Sequence, residues 1–308
     1  MTNKLLTVII PFLNEKTEVR NTILSIWEYA KDLVDIIAIN DASTDLYNYE
    51  LDLSRLNIQY IKNETRKGSA ASRDIGINLA QTPYFLVIDA HMRFYCSCWV
   101  DTITSLLNEN DRKLLCCNTK VLFKSDSEEL LEPEKNKVFG AKILFDKDKP
   151  LDVVWNKIEK DKNSEKELIP CVLGAAYAAS KNYWTYLKGL RGLVNYGCEE
   201  AYISMKVYLE GGTCELLKNI FVGHIYRDRF PYIVELGDIV YNKLFIAELL
   251  LPSNLKVIVH SKYKLLDLDT YNTANQKLKN NSMEIEYLKD YYRQIFKNDF
   301  NTILYLNR

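Results

Sequence analysis

Tyr84–His91 reads YFLVIDAH, a five-residue apolar run that stops on Asp89-Ala90-His91. Five residues are too few for a buried helix, and a continuous aromatic and β-branched run is what a strand buried on both faces requires. Its polar end carries a carboxylate and an imidazole separated by one residue, so both can point into the same crevice. A divalent cation such as Mn²⁺ accepts carboxylate oxygen and imidazole nitrogen together. For an isolated tripeptide a plainer reading suffices, with Asp89 capping a turn and His91 a surface imidazole. Its neighbours in the chain decide between the two.

Upstream, Thr7–Pro11 is a short β-branched run, and Asn21–Lys31 has helical spacing through Ile23, Ile26, Trp27 and Ala30. Asp35–Asn40 (DIIAIN) is a second buried strand running into Asp41-Ala42-Ser43-Thr44-Asp45, Gln59–Lys62 a third, and Gly68–Ala80 a helix. Strands alternating with amphipathic helices predict an α/β, Rossmann-like domain with a mostly parallel sheet flanked by helices. Such sheets bind ligands beyond the carboxyl ends of their strands. Asn14, Asp41 and Asp89 all fall there by spacing alone.

Downstream, Trp99–Leu107 predicts a helix, Leu114–Phe123 a strand, and Lys124–Lys166 a charged excursion containing Pro133 and Pro150. Cys171–Ala179 is expected as a strand opening through Gly174, Glu199–Leu209 as a helix closed by Gly211-Gly212, and Glu215–Val222 as a further strand. Past Pro231 the pattern is helical to Leu251. Residues 260–308 are polar, rich in Tyr and Asn, helical at best and without evident chemistry. The expected division is an α/β domain over 1–230, in two halves near 1–95 and 96–230, then a mostly helical extension over 231–308.

The bulk numbers narrow the class. Of 308 residues 47% are hydrophobic and 26% charged, and the formal net charge is −1. No global basic field attracts nucleic acid, so no nucleic-acid partner is expected. Leu5–Ile10 is far shorter than the roughly 18 apolar residues of a membrane span, and Leu244–Leu251 is broken by Glu248. A soluble, cytoplasmic protein is expected, with peripheral membrane association and oligomeric state left open. Seven cysteines without a signal peptide read as reduced thiols. Cys96-Ser-Cys98 and Cys116-Cys117 lack the spacing of a structural zinc site, so buried thiols are the expectation.

Two further stretches carry candidate chemistry. Val222-Gly223-His224-Ile225-Tyr226-Arg227 is again a strand entering a loop, and His224 could be a third ligand beside Asp89 and His91. Gly197-Cys198-Glu199-Glu200 opens a helix, where paired acids either complement the helix dipole or face a substrate. His260 has no companion acid in its surroundings and is assigned no role.

In order, TVIIPFLNE, DIIAINDAST, RKGSAASRDIGINLA, YFLVIDAH, VLGAAYAASKNYW, YGCEEAYISMKVYLEGGTCEL and VGHIYR follow the pattern of GT-A glycosyltransferases. They resemble most the catalytic domain of polypeptide N-acetylgalactosaminyltransferases and, more broadly, bacterial family-two glycosyltransferases. IVYNKLFIAELLLP is similar to the helix after the first family's lid loop, and the resemblance spans roughly residues 5–250. It implies a bacterial relative with a GT-A catalytic domain, its nucleotide half near 1–95 and its acceptor half near 96–230, a UDP-sugar donor, and Mn²⁺ or Mg²⁺ held by Asp89, His91 and His224. By the same resemblance Pro11, Phe12, Asn14 and Glu15 line the uridine pocket, and Asp41 binds uracil or ribose. Arg66, Gly68 and Arg73 lie beside the nucleotide, Ala90 within the metal motif, and Gly174 and Ala175 against the donor sugar. Glu199 reads the sugar's hydroxyls, Glu200 is a candidate base, and Arg227 and Tyr232 belong to the segment closing over the donor.

This sequence departs from that pattern. Gly174-Ala175-Ala176-Tyr177 stands where the family has Gly-Gly-Leu-Phe, which leaves the sugar open between hexose and N-acetylhexosamine. Glu199-Glu200 stands for a Glu-Asn pair, and its second acid resembles the base of inverting family-two enzymes. The expected acceptor is a peptide or protein side chain, the alternative a surface polysaccharide or lipid-linked glycan. A non-catalytic nucleotide-sugar-binding protein and a nucleotidyltransferase are the rivals from other classes. The latter usually carries a Gly-rich loop after its first strand, where this chain reads PFLNEKTE.

Overall fold

Val8 and Ile10 point to one side of their strand and Ile9 to the other, yet all three are fully buried. The sheet is therefore covered on both faces, and that is why its strands read as unbroken apolar runs. The computed structural model describes residues 4–125, 129–132, 138–227 and 229–308. Strands β1 (Leu6–Phe12), β2 (Val34–Asn40), β3 (Gln59–Lys62) and β4 (Tyr84–Ile88) alternate with helices α1 (Glu18–Ala30), α2 (Tyr49–Leu53) and α3 (Ser69–Leu79). The middle of the chain adds β5 (Met92–Phe94), α4 (Trp99–Glu109), β6 (Lys113–Lys124), β7 (Leu130–Leu131), β8 (Ala141–Ile143), β9 (Val153–Trp155) and β10 (Lys166–Leu168). Then come β11 (Ala176–Ser180), α5 (Lys181–Tyr186), α6 (Glu199–Glu210) and β12 (Thr213–Ile225). Helices α7 (Leu236–Leu250), α8 (Ser253–Leu266), α9 (Leu268–Asn280), α10 (Ser282–Ile295) and α11 (Phe300–Leu306) complete it.

The sheet runs β10-β12-β6-β11-β4-β1-β2-β3, with β5 paired to β12 and β7 to β6. The β2-β3, β1-β2, β1-β4 and β6-β12 pairs are parallel, while β11 is antiparallel to both β4 and β6. This is the mostly parallel α/β sheet expected. Helices α1 and α4 bury Ile23, Ile26, Ile103 and Leu107 on one face; α3, α6 and α7 bury Ile77, Tyr202 and Phe245 on the other.

One segment differs from the expectation. The strand foreseen from Cys171 begins only at Ala176. Cys171–Gly174 is buried or nearly so, but its backbone pairs outside the main ladder: Cys171 bridges Ala141, and the Val172 and Leu173 amides donate to Ser204 Oγ (3.2 Å) and Cys116 Sγ (3.1 Å). Residues 260–308 are regular helix through most of their length. Their apolar contribution is a thin stripe, Ala274, Leu278, Ile285, Leu288 and Tyr292, buried against α7 and α6. Of the 124–166 excursion, Pro133 lies outside the described residues; Pro150 sits in the connection between β8 and β9.

All seven cysteines are free thiols. Cys116, Cys117, Cys171 and Cys214 are buried, as expected, whereas Cys98 is exposed with its sulfur 3.2 Å from that of Cys96. The pair sits where the apolar β5 gives way to the turn before α4. No helix among the described residues is long and apolar enough to cross a membrane.

Candidate active site

The exits of β1, β2 and β4 open on one cavity of about 390 Å³. Its floor is set by backbone conformations that few residues adopt. Asn14 (φ 60°) and Ala42 (φ 62°) turn the chain sharply after β1 and β2, and Cys198 (φ 73°) does so before α6. Gly68 (φ 91°) opens α3, and a side chain there would also collide with the Asn195 backbone, so the position demands glycine twice over.

Asp41 organises the side of the cavity between β2 and α3. One carboxylate oxygen accepts from Lys67 N and Asn63 Nδ2, both at 2.8 Å, and the other from Gly68 N at 2.8 Å. The carboxylate thus fastens the start of α3 to the end of β2. Phe12, Pro11, Arg66 and Gly68 line the cavity beside it.

On the opposite wall Asp89, His91 and His224 form a cluster whose candidate ligand atoms lie within 4.8 Å of one another. His224 Nε2 is 3.2 Å from Asp89 Oδ2 and 3.1 Å from His91 Nε2. Two imidazole nitrogens turned toward each other and toward a carboxylate suit a cation better than they suit one another. The outer Nδ1 of His224 is buried without a hydrogen-bond partner among the described residues, and that of His91 faces a Glu15 carboxylate oxygen at 3.4 Å. Burial opposes the charge on Asp89, but His224, His91 and Arg73 outweigh it and hold the carboxyl below its usual range. Burial lowers His224 despite Asp89 beside it, which keeps the imidazole neutral and available as a ligand.

The Gly174–Ala175 wall joins this cluster directly, because the Asp89 amide donates to Ala175 O (3.1 Å). The two acids of α6 are not alike. Glu199 is satisfied from within: Ser69 Oγ donates to one oxygen and Gly197 N to the other (2.9 Å). Glu200 faces Gly174, where any Cβ would strike its carboxyl. Burial and then the neighbouring Glu199 push Glu200 up to about 7. Arg73 is buried beneath them, 3.5 Å from Asp89 and over the Tyr177 ring, with Nε and Nη1 unpartnered.

The segment after β12 roofs the cavity. Arg227 is ion-paired with Glu15, and Arg66 Nη1 donates to Ile233 O (3.1 Å) beneath the Tyr232 ring. Of the residues singled out from sequence, the cavity wall gathers all but Asn14. Asn14 is turned away to Thr44 N (2.7 Å) and Pro231 O (3.0 Å), while Leu13 lines the cavity instead. Sequence reasoning also passed over Tyr196, Trp155, Tyr226 and Phe230, an aromatic group at the mouth. Tyr196, two residues before Cys198 on the approach to α6, was the one with a positional signal.

Residues 7–158, just under half of the chain, match the family model described as Glycosyl transferase family 2. Polypeptide N-acetylgalactosaminyltransferase 6 of Bos taurus is 25% identical over 261 residues, covering 79% of this chain and 41% of its own length. A putative polypeptide N-acetylgalactosaminyltransferase 9 of Drosophila melanogaster is 26% identical over 243 residues, covering 73% and 36% respectively. The chain thus spans well under half the length of these relatives. Among solved structures, GalNAc-T7 with UDP, GalNAc and Mn²⁺ superposes with a TM-score of 0.76 at 20% identity, covering 98% of this chain and 56% of its own. S. aureus TarS gives 0.50 at 15% identity, covering 84% and 42%. With the crevice at the strand exits and the sheet order above, these likenesses make the chain a bearer of a glycosyltransferase domain with the GT-A fold.

Proposed function

We propose that the protein is a metal-dependent glycosyltransferase that moves a hexose or N-acetylhexosamine from a UDP-sugar to a peptide or protein side chain. The observation that carries this reading is the Asp89–His91–His224 cluster at the strand-exit crevice, a donor set suited to Mn²⁺ or Mg²⁺. The polypeptide-modifying relatives and the UDP- and Mn²⁺-bound neighbour support the donor and acceptor. A bound cation would neutralise charge developing on the departing diphosphate. Around it, Arg227 offers a guanidinium to the same phosphates and Arg73 a second positive charge from below. Asp41 and Gly68 shape the nucleotide wall, with Phe12 and Arg66 against the base and ribose. Ala175 and Glu199 hold the sugar, and the 227–233 segment excludes water.

The test is nucleotide release from a panel of UDP- and GDP-sugars with Mn²⁺. One UDP-sugar is expected to turn over, with roughly a 10²–10³-fold loss in EDTA and in Asp89→Ala. Release indifferent to both controls would remove the cation from the reading.

A second reading, transfer to a glycan with inversion, is favoured by Glu200. It is the acid of the pair whose carboxyl takes its backbone hydrogen bond only from its own residue, and burial and Glu199 leave it poised to ionise near neutral pH. The anomer of the product decides between the two.

A further inference from the structure

Glu15 does something other than line a base pocket. Its side chain leaves the turn after β1 between two left-handed residues, Asn14 (φ 60°) and Lys16 (φ 47°), and is only 7% exposed. One carboxylate oxygen is 3.4 Å from His91 Nδ1, on the ring edge opposite the nitrogen that faces His224. Both oxygens also take the Arg227 guanidinium, at 3.1 Å for Nη1 to Oε1 and closer for Nη2 to Oε2. Its neighbour Asn14 holds Pro231 O at 3.0 Å. Two consecutive residues of one turn therefore grip the roof of the cavity at two points, and one of them also stands behind a candidate metal ligand.

We propose that Glu15 is a positioning residue that serves two masters: it orients His91 for the cation from the outer side of the ring, and it latches Arg227 over the cavity. The proposal rests on the cation reading given above. A carboxylate receiving the far N–H of a ligating imidazole fixes its tautomer and its aim, and losing such a partner typically weakens metal binding by about 10–100-fold. The same carboxylate is the anion that Arg227 meets when no diphosphate is there, so the latch and the cation site share one group.

The experiment reads two quantities on the whole chain, neither of them turnover. Mn²⁺ affinity is measured by electron paramagnetic resonance without donor, and roof mobility by the rate of tryptic cleavage after Arg229. Glu15→Gln is expected to weaken Mn²⁺ about 10–100-fold and to speed cleavage about tenfold, since a charge-assisted latch is lost. Arg227→Gln is expected to speed cleavage as much while binding Mn²⁺ no more weakly than the wild type. His224→Ala is expected to abolish binding at the site. If Glu15→Gln binds Mn²⁺ like the wild type while His224→Ala does not, the proposal fails and the cation site stands. If Arg227→Gln weakens Mn²⁺ as much as Glu15→Gln, roof closure rather than Glu15 sets the affinity, and the proposal fails again. If the wild type and His224→Ala bind Mn²⁺ equally, both readings fall together. Should Glu15→Gln not fold by circular dichroism, Glu15→Asp, which keeps the charge one methylene short of both partners, is read by the same criteria.

Discussion

Arg73 and Asp74 are adjacent on α3, one buried and the other half-buried, and their surroundings could hardly differ more. Asp74 faces the core and is fully engaged. Trp184 Nε1 donates to it at 2.7 Å, the Leu190 amide at 3.0 Å, and the buried Lys206 lies in the same polar cluster. Lys206 in turn donates to the carbonyls of Leu187 (3.0 Å) and Gly189 and to Tyr292 Oη (3.3 Å). Arg73 faces the cavity, and two of its nitrogens have no hydrogen-bond partner among the described residues, as is true of the outer nitrogen of His224 and of the Tyr177 hydroxyl. A buried polar group without a partner costs about 1–3 kcal/mol, so folded chains rarely keep several together. Where one neighbourhood is complete and the next is not, the incomplete one is where a ligand's atoms belong. The Asp74–Lys206 cluster holds α3, α6 and α10 together, and the Arg73 side is kept open for chemistry.

The comparison breaks most decisively at Lys206. Lys206→Met keeps the volume but strands the Gly189 carbonyl, leaves Leu187 O to Tyr292 alone and takes the nearby cation from Asp74, and about 3–5 kcal/mol of stability should be lost in urea unfolding. Nucleotide release per folded molecule should survive; loss of release with stability intact would make this cluster part of the site. Glu200 sharpens the contrast from the other side. Its folded pKa, about 7, lies above its ordinary 4.5. The stability it allows is therefore complete below pH 4.5 and is lost as pH rises through about 7, where an ionised carboxylate sits unpartnered. Glu200→Gln should match the wild type in thermal midpoint near pH 4.5 and exceed it at pH 8 by roughly 2 kcal/mol. A variant less stable at pH 8 would mean that Glu200 is paired inside the fold. Smallest is Tyr292→Phe, which removes one donor to Leu187 O (3.2 Å) and one contact to Lys206. A cost of about 1 kcal/mol, seen as faster hydrogen exchange in α10, is expected.

How much of this was legible in the sequence differs from element to element. The strand at Tyr84–Ile88 and the strand at Gln59–Lys62 have the predicted limits, because an apolar run bounded by polar residues leaves few alternatives. Cys171–Ala175 has the same apolar look and is not in the sheet, since burial alone does not say where a backbone finds its hydrogen bonds. The helices after Pro252 were faint because each contributes only a narrow buried stripe to a core built by other elements. In the site, residue types and order marked Asp89, His91, His224, Glu199 and Glu200 as chemistry-bearing. Nothing in the local sequence distinguished Glu199, tied to Ser69 and Gly197, from Glu200, whose carboxyl is left to the cavity.

The sequence by itself determined where the polar residues stand along the sheet. Period and composition bring Asn14, Asp41 and Asp89 to strand ends, and turn chemistry puts Glu199 at the head of a helix. Only the tertiary structure decided which of them meet. His224 is 133 residues beyond His91, and the two touch because β12 lies antiparallel to β5 with His224 opposite Met92. A shift of one residue in that register would turn His224 to the other face of the sheet. Glu15 reaches His91 and Arg227 for the same kind of reason. A carboxylate takes its role from what long-range packing sets within about 4 Å of it, which no local pattern encodes.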